Sequence, residues 1–149
     1  MWRKLTEQDI RDTVSEREYE SYARAAEGPQ WDPETVARVI RRTSELVRGY
    51  VASSPRGVRM HPDGESVPGS LIGPAADYAL VTLLRRVPRE IRKERLDARA
   101  EAVKLFERVA KGEAAVEPWD GAGGGGISGA ELVSPSRRRA SSRQLEDTP

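Results

Sequence analysis

The chain has 149 residues, enough for one modest domain and a tail. Hydrophobic residues make up 37% and charged residues 33%, so any core is thin and part of the sequence is not expected to fold alone. The net charge of +1 and the absence of cysteine exclude a strong overall field, a disulfide framework and a thiolate metal site.

Residues 6–27 read as helix in two pieces. Thr6 caps the first with Asp9 three residues on, and Ser15 caps the second with Glu18 three residues on. Gly28-Pro29 ends the second piece. Residues 32–53 give the clearest helix. Asp32 is its N-cap, and Pro33 stands at the first helical position, where a missing N–H costs nothing. Val36, Val39, Ile40, Thr43, Val47, Tyr50 and Val51 form its apolar stripe, while Arg38, Arg41, Arg42, Glu45 and Arg48 are placed on the outer faces.

Residues 54–70 hold three Pro and three Gly and show no period. A loop of this length in a compact domain is often functional; a binding loop and a short β-ribbon both fit it. Helix resumes over 72–87, with Ile72, Ala75, Ala76, Ala79, Leu80, Leu83, Leu84 and Val87 in one wide stripe, and Pro88 breaks it. The last helix is expected over 89–111, with Ile91, Ala98, Ala102, Leu105, Phe106 and Val109 inward. Lys111-Gly112 forms its exit. The expected fold is mainly α: a small bundle of about four helices, a long loop between the second and third, and an extended C-terminal arm.

Two regions follow from this pass: a helical domain over 1–112, and a linker and arm over 113–149. Gly121 to Gly126 is a flexible tether. Beyond it lies a basic peptide with Arg137, Arg138, Arg139 and Arg143, interspersed with Leu132, Val133 and Leu145, and it has no core-forming period. Three readings are open for such a tethered peptide: docking on an acidic protein surface first, a solvated disordered tail second, and phosphate contact third. Trp2, Trp31 and Trp119 sit at chain ends and core edges, where tryptophan either staples the chain or anchors an interface.

Catalytic chemistry finds no residue set. His61 is the sole histidine and reads as a solvent-exposed loop residue, because Asp63 and Glu65 would make poor co-ligands for it. His-Pro-Asp-Gly at 61–64 reads as a turn. Helix carboxylates are expected in surface pairs such as Glu45 with Arg48 and Glu90 with Lys93. The glycine run lacks the Gly-Lys-Ser/Thr ending of a phosphate loop. No enzyme, cofactor or metal is therefore expected. No apolar run approaches the ~20 residues that cross a bilayer, and the N-terminus has no signal-peptide core. No membrane role and no export are expected.

The order of these features resembles the Mu-type phage neck protein family, grouped with the head–tail adaptors (connectors) of tailed phages. The resemblance rests on Leu5 to Ile10, on Ser44 to Tyr50, on Val67 to Ile72 with Ala76-Asp77-Tyr78, on Val87 to Ile91, and on Ala102 to Gly112. Val133 to Leu145 loosely resembles the family's basic terminal signature, with Ala140, Ser141 and Ser142 standing where an aromatic is usual.

The resemblance implies a structural virion protein of the head–tail neck, made in the host cytoplasm. It implies a ring of about 12 copies, closed by heterologous contacts, between a portal protein and a tail completion or terminator protein, with DNA passing through the channel without sequence specificity. Residues 113–149 would dock on the portal through Trp119, Leu132, Val133, Arg137, Arg138, Arg139, Arg143 and Leu145. The loop would offer Arg56, Arg59, Met60 and His61 to the tail or the lumen. The alternative is a small basic-tailed nucleic-acid-binding or regulatory protein, drawn from the arginine clusters at 85–99 and 137–143. The near-neutral charge and the lack of a helix-turn-helix spacing count against it.

Overall fold

The computed structural model describes residues 1–25 and 31–121. The chain divides into two units, Met1–Trp119 and Asp120–Pro149, and the first is described here. It is mainly helical. In chain order it runs β1 (Trp2–Arg3), α1 (Glu7–Arg11), α2 (Glu16–Ala25), α3 (Pro33–Ala52), β2 (Val67–Pro68), a 3-10 turn (Gly69–Leu71), α4 (Ile72–Leu84) and α5 (Lys93–Ala110).

The expected caps form. The Thr6 hydroxyl accepts from Asp9 N–H while the Asp9 carboxylate accepts from Thr6 N–H, a reciprocal capping box. Ser15 Oγ accepts from Glu18 N–H at 3.1 Å and opens α2. The Asp32 carboxylate accepts from Thr35 N–H at 2.7 Å, with Pro33 behind it at the first position of α3. The stop at Gly28-Pro29 lies outside the described residues.

Helices α3, α4 and α5 pack on one another, and α1 lies against α3 and α4. The α4 stripe is buried at all eight expected positions, and Leu71 and Val81 join it. Ala75, Ala76 and Ala79 let the neighbouring helices approach closely. From α5, Ala102, Phe106 and Val109 reach the centre, and the Phe106 ring stacks on Tyr50 at 5.7 Å. Tyr19 of α2 is buried against Trp31, whose Nε1 donates to Leu83 O at 3.1 Å.

Four boundaries and placements differ from expectation. Helix α4 ends at Leu84, and Val87 stays buried from a turn in which its N–H bonds Leu84 O. Helix α5 begins at Lys93, because the segment after Pro88 first turns and Arg92 then adopts extended backbone as the cap. Arg48 does not sit on an outer face or pair with Glu45; it turns inward to the loop. Lys93 pairs with Asp97 at 2.8 Å instead of with Glu90.

The open question of a β-ribbon in 54–70 resolves to two residues. Val67 and Pro68 pair antiparallel with Arg3 and Trp2. No described helix is long and apolar enough to cross a membrane.

Candidate partner-binding surface

At the C-terminal end of α3 the chain leaves the helix and must return along the bundle. Three polar devices shape the return. Arg48 is the first. Its guanidinium donates to Ser66 O at 2.6 Å and to His61 O at 2.8 Å, so one side chain satisfies two loop carbonyls. Asp63 is the second. Its carboxylate accepts from Glu65 N–H and Ser66 N–H, each at 2.9 Å, and from the Ser66 hydroxyl at 2.6 Å. Burial pushes this carboxyl up, yet the bonds from Ser66 and Glu65 outweigh it and hold it well below the usual range. The turn expected at 61–64 is therefore locked.

The third device is the exit from α5. Gly112 takes a left-handed backbone, φ +81, and a Cβ there would meet the Pro55 ring at 2.8 Å. Arg56 Nε donates to Gly112 O at 2.9 Å and ties the loop to this exit.

Residues 113–119 then run back across the same end of the bundle. Trp119 N–H donates to Arg59 O at 2.8 Å. The Arg59 guanidinium lies 4.9 Å from the Trp119 ring, and the His61 ring lies 5.0 Å from it. Glu117 accepts from Ser70 Oγ at 2.6 Å and from Ser70 N–H at 3.2 Å. Its backbone oxygen accepts from Trp2 Nε1 at 2.8 Å. Burial raises the Glu117 pKa, but the Ser70 bonds and the neighbouring amino group overcome it and leave the carboxyl at about 2.

Residues 113–119 thus belong with the helical unit, and its boundary falls after Trp119 instead of after Gly112. His61 is not fully exposed; its side chain retains 28% exposure between Asp63 and Trp119. Met60 is half-buried against the core, while Arg56 and Arg59 are exposed. The residues expected in the loop interface and the first residue expected in the arm interface therefore form one continuous surface. Leu132, Val133, Arg137, Arg138, Arg139, Arg143 and Leu145 lie outside the described residues.

Arg48 and Glu117 shape this surface and were not expected in it, while Trp2 staples the chain start to it, one of the two roles the sequence left open for that residue. Arg48 had a signal in the sequence, since it follows Val47 and precedes Val51 at stripe spacing. Glu117 had none, because its partners are distant in the chain. Among the described residues no group of three or more His, Asp or Glu could hold a metal ion. The surface offers aromatic and guanidinium contacts, the residue types that dominate protein interfaces.

The family model for Bacteriophage Mu, Gp36 matches residues 5–122. The chain belongs to this family. The match takes in the whole helical unit from Leu5, the 54–70 loop and Trp119, so the surface just described is part of the family's domain. It does not extend to Val133–Leu145, where the terminal signature was read. No curated protein and no solved structure matches the chain. Family membership makes this a phage protein, and the matched region takes in its mainly helical unit from Leu5.

Proposed function

We propose that this phage protein is a structural component of the virion neck, a head–tail adaptor. It assembles as a closed ring of about 12 copies, joins the portal to the tail completion or terminator protein, and surrounds DNA on its way out. Its role is mechanical and not catalytic, and it needs no cofactor. The observation that carries this reading is the fusion of loop and exit segment into one surface around Trp119, within the matched region of a phage family.

One surface serves one neighbour. We assign that neighbour as the portal, and with it the 54–70 loop that the sequence alone left to the tail or the lumen. The rival nucleic-acid reading loses support at 85–99. Two of its arginines are taken: Arg95 pairs with Glu18, the side chains 20% and 19% exposed, and Arg99 covers the Tyr78 ring. Guanidinium groups occupied in this way offer a phosphate backbone little.

The test uses purified portal rings and the full chain. Deletion of 120–149 keeps the Glu117 and Trp119 staples, whereas a cut after Gly112 would remove them. Trp119→Ala and Arg59→Glu should each weaken portal capture at least about tenfold, as central aromatic and arginine anchors do. Deletion of 120–149 should abolish capture with helicity kept. Capture unchanged by all three variants would reject the assignment.

A further inference from the structure

A second surface lies between α3 and α4. Arg38 and Arg42 of α3, Tyr78 of α4 and Arg86 just beyond it line a groove of about 220 Å³. Every charged residue in its lining is an arginine. Three other grooves of the unit each hold two carboxylates: Asp77 and Glu101, Glu45 and Glu65, Glu90 and Glu94. Arg42 and Arg86 are exposed and have no carboxylate partner among the described residues. Arg38 reaches only Glu34, at 3.8 Å, in a pair whose side chains are 40% and 86% exposed, and ion pairs this wet contribute little. The Tyr78 ring is held by the Arg99 guanidinium, 4.7 Å from its centroid, while its hydroxyl bonds no described residue.

Elsewhere the unit satisfies its arginines from within. Arg3 pairs with Asp9, Arg11 with Glu16 and Arg95 with Glu18, and Arg48 serves two loop carbonyls. At the groove three guanidinium groups and a phenol hydroxyl converge as donors, with no charged acceptor among them. The occupant that fits brings negative charge and acceptors. It does not need depth: Val39 and Thr43 are already buried beneath the groove, and the space falls below the ~300 Å³ at which small-molecule pockets begin. An acidic protein segment would bring anchor side chains that find no pocket here. A polyanion laid across the rim uses the guanidinium groups and asks nothing of the floor.

We infer that the Arg38–Arg42–Arg86 rim contacts the phosphodiester backbone of duplex DNA. Guanidinium forks match phosphate oxygens two at a time. Contacts to phosphate carry no sequence information, so the rim accepts any duplex. One copy, with three arginines, binds weakly; copies arrayed around one duplex bind it polyvalently. The inference goes beyond the adaptor reading by naming the face of the chain that DNA meets. Only the array rests on the ring proposed above; the contact itself does not.

The basic arm also carries arginines, so the test uses the full-length chain with Arg137, Arg138, Arg139 and Arg143 changed to Gln. Anisotropy of a labelled duplex is read across a salt series. Log affinity should fall with log salt at a slope of about −2.7, roughly −0.9 for each of three phosphates. Arg42→Gln and Arg86→Gln should each flatten the slope by about one and weaken binding equally on unrelated sequences. Thr82→Glu sets a carboxylate among the three arginines and should cut affinity at least ~10-fold. Arg41→Gln is the control. Arg41 is also exposed but lines a different groove, so its loss should leave the slope unchanged. Circular dichroism confirms that each variant is folded.

Duplex binding that vanishes with the arm arginines and ignores Arg42 and Arg86 would give DNA to the arm and overturn the contact. An equal effect of Arg41→Gln would reduce the contact to net charge and overturn it as well. Polyglutamate bound through Arg42 and Arg86 as tightly as the duplex would give the groove to an acidic protein. Displacement of the duplex by inorganic phosphate, at ionic strength matched with chloride, would give it to a free anion. Either result rejects the inference, as does a lack of binding at the lowest salt by the free chain and by the chain mounted on portal rings. Portal capture and sedimentation of the Arg42→Gln and Arg86→Gln chains report on the adaptor reading separately. Chains that assemble but show no groove-dependent binding would leave the ring and remove the contact; chains that bind duplex through the groove yet never assemble would do the reverse.

Discussion

The bundle centre and the Trp119 end hold together by different physics. In the centre, Phe106, Leu80, Leu83 and Val47 are at most 1% exposed and touch mainly other apolar groups. Burial there is non-directional, and stability scales with area. At the Trp119 end the loop and exit segment lay Val58, Met60, Ala114, Val116 and Trp119 only partly buried against the core. They are fixed by directed bonds from Arg48, Asp63, Arg56 and Glu117. These bonds shape the proposed partner surface without exposing a large hydrophobic side chain in it, since Met1 and Leu96 are the exposed large hydrophobics among the described residues. The contrast separates what folds this protein from what presents it.

The largest expected effect lies in the centre. Phe106→Ala should lower unfolding free energy by about 3–5 kcal/mol, from lost burial and the cavity left beside Tyr50. Urea denaturation followed by circular dichroism measures it. A loss under 1 kcal/mol, about the cost of an ordinary surface change, would mean that the three-helix packing is not what stabilises the unit.

A smaller but more local effect is expected from Arg48→Ala. It leaves the Ser66 and His61 carbonyls without their donor, at a cost of about 2–3 kcal/mol for charge-assisted bonds. Amide exchange should quicken in 54–66 while α4 and α5 keep their protection. Uniform loss of protection across the bundle would erase the distinction between the two regions.

How much of this was legible in the sequence follows the same division. Apolar burial repeats with the helix, so the α3 and α4 stripes could be read from residue spacing. Caps are local, so Thr6, Ser15 and Asp32 could be read too. The polar end repeats nothing. The strands of two residues have no period, and Trp2 finds Val67–Pro68 and Glu117 only through the fold. Residues 113–119 have linker composition, yet Glu117 and Trp119 bind them to the unit by a few long-range contacts. Arg48 departs from its expected outer face because a charged side chain need not be exposed. A guanidinium on a long apolar stem can reach loop carbonyls from the edge of a stripe.

The smallest expected effect is a change with pH, and its sign follows from two carboxyls. Asp9, bonded by Arg3 at 2.9 and 2.7 Å, and Glu117 are both held at about 2, below ordinary values of 3.8 and 4.5. A carboxyl lowered by folding stabilises the folded form above its ordinary pKa, and that support fades as pH falls toward the lowered value. Asp9 ties β1 to α1 through Arg3 and Thr6, and Glu117 ties the exit segment to Ser70 and the N-terminus, while the three-helix centre is held mainly by apolar burial, with the Asp32 carboxylate capping α3. Acidification from about pH 4.5 to about 2 should therefore change tryptophan fluorescence, through Trp2 and Trp119, before the helical circular dichroism falls. Glu117→Gln should remove the upper part of that fluorescence change. If fluorescence and helicity fall together, and the Gln variant follows the same curve, the polar end is not a separate layer of stability but an extension of the core.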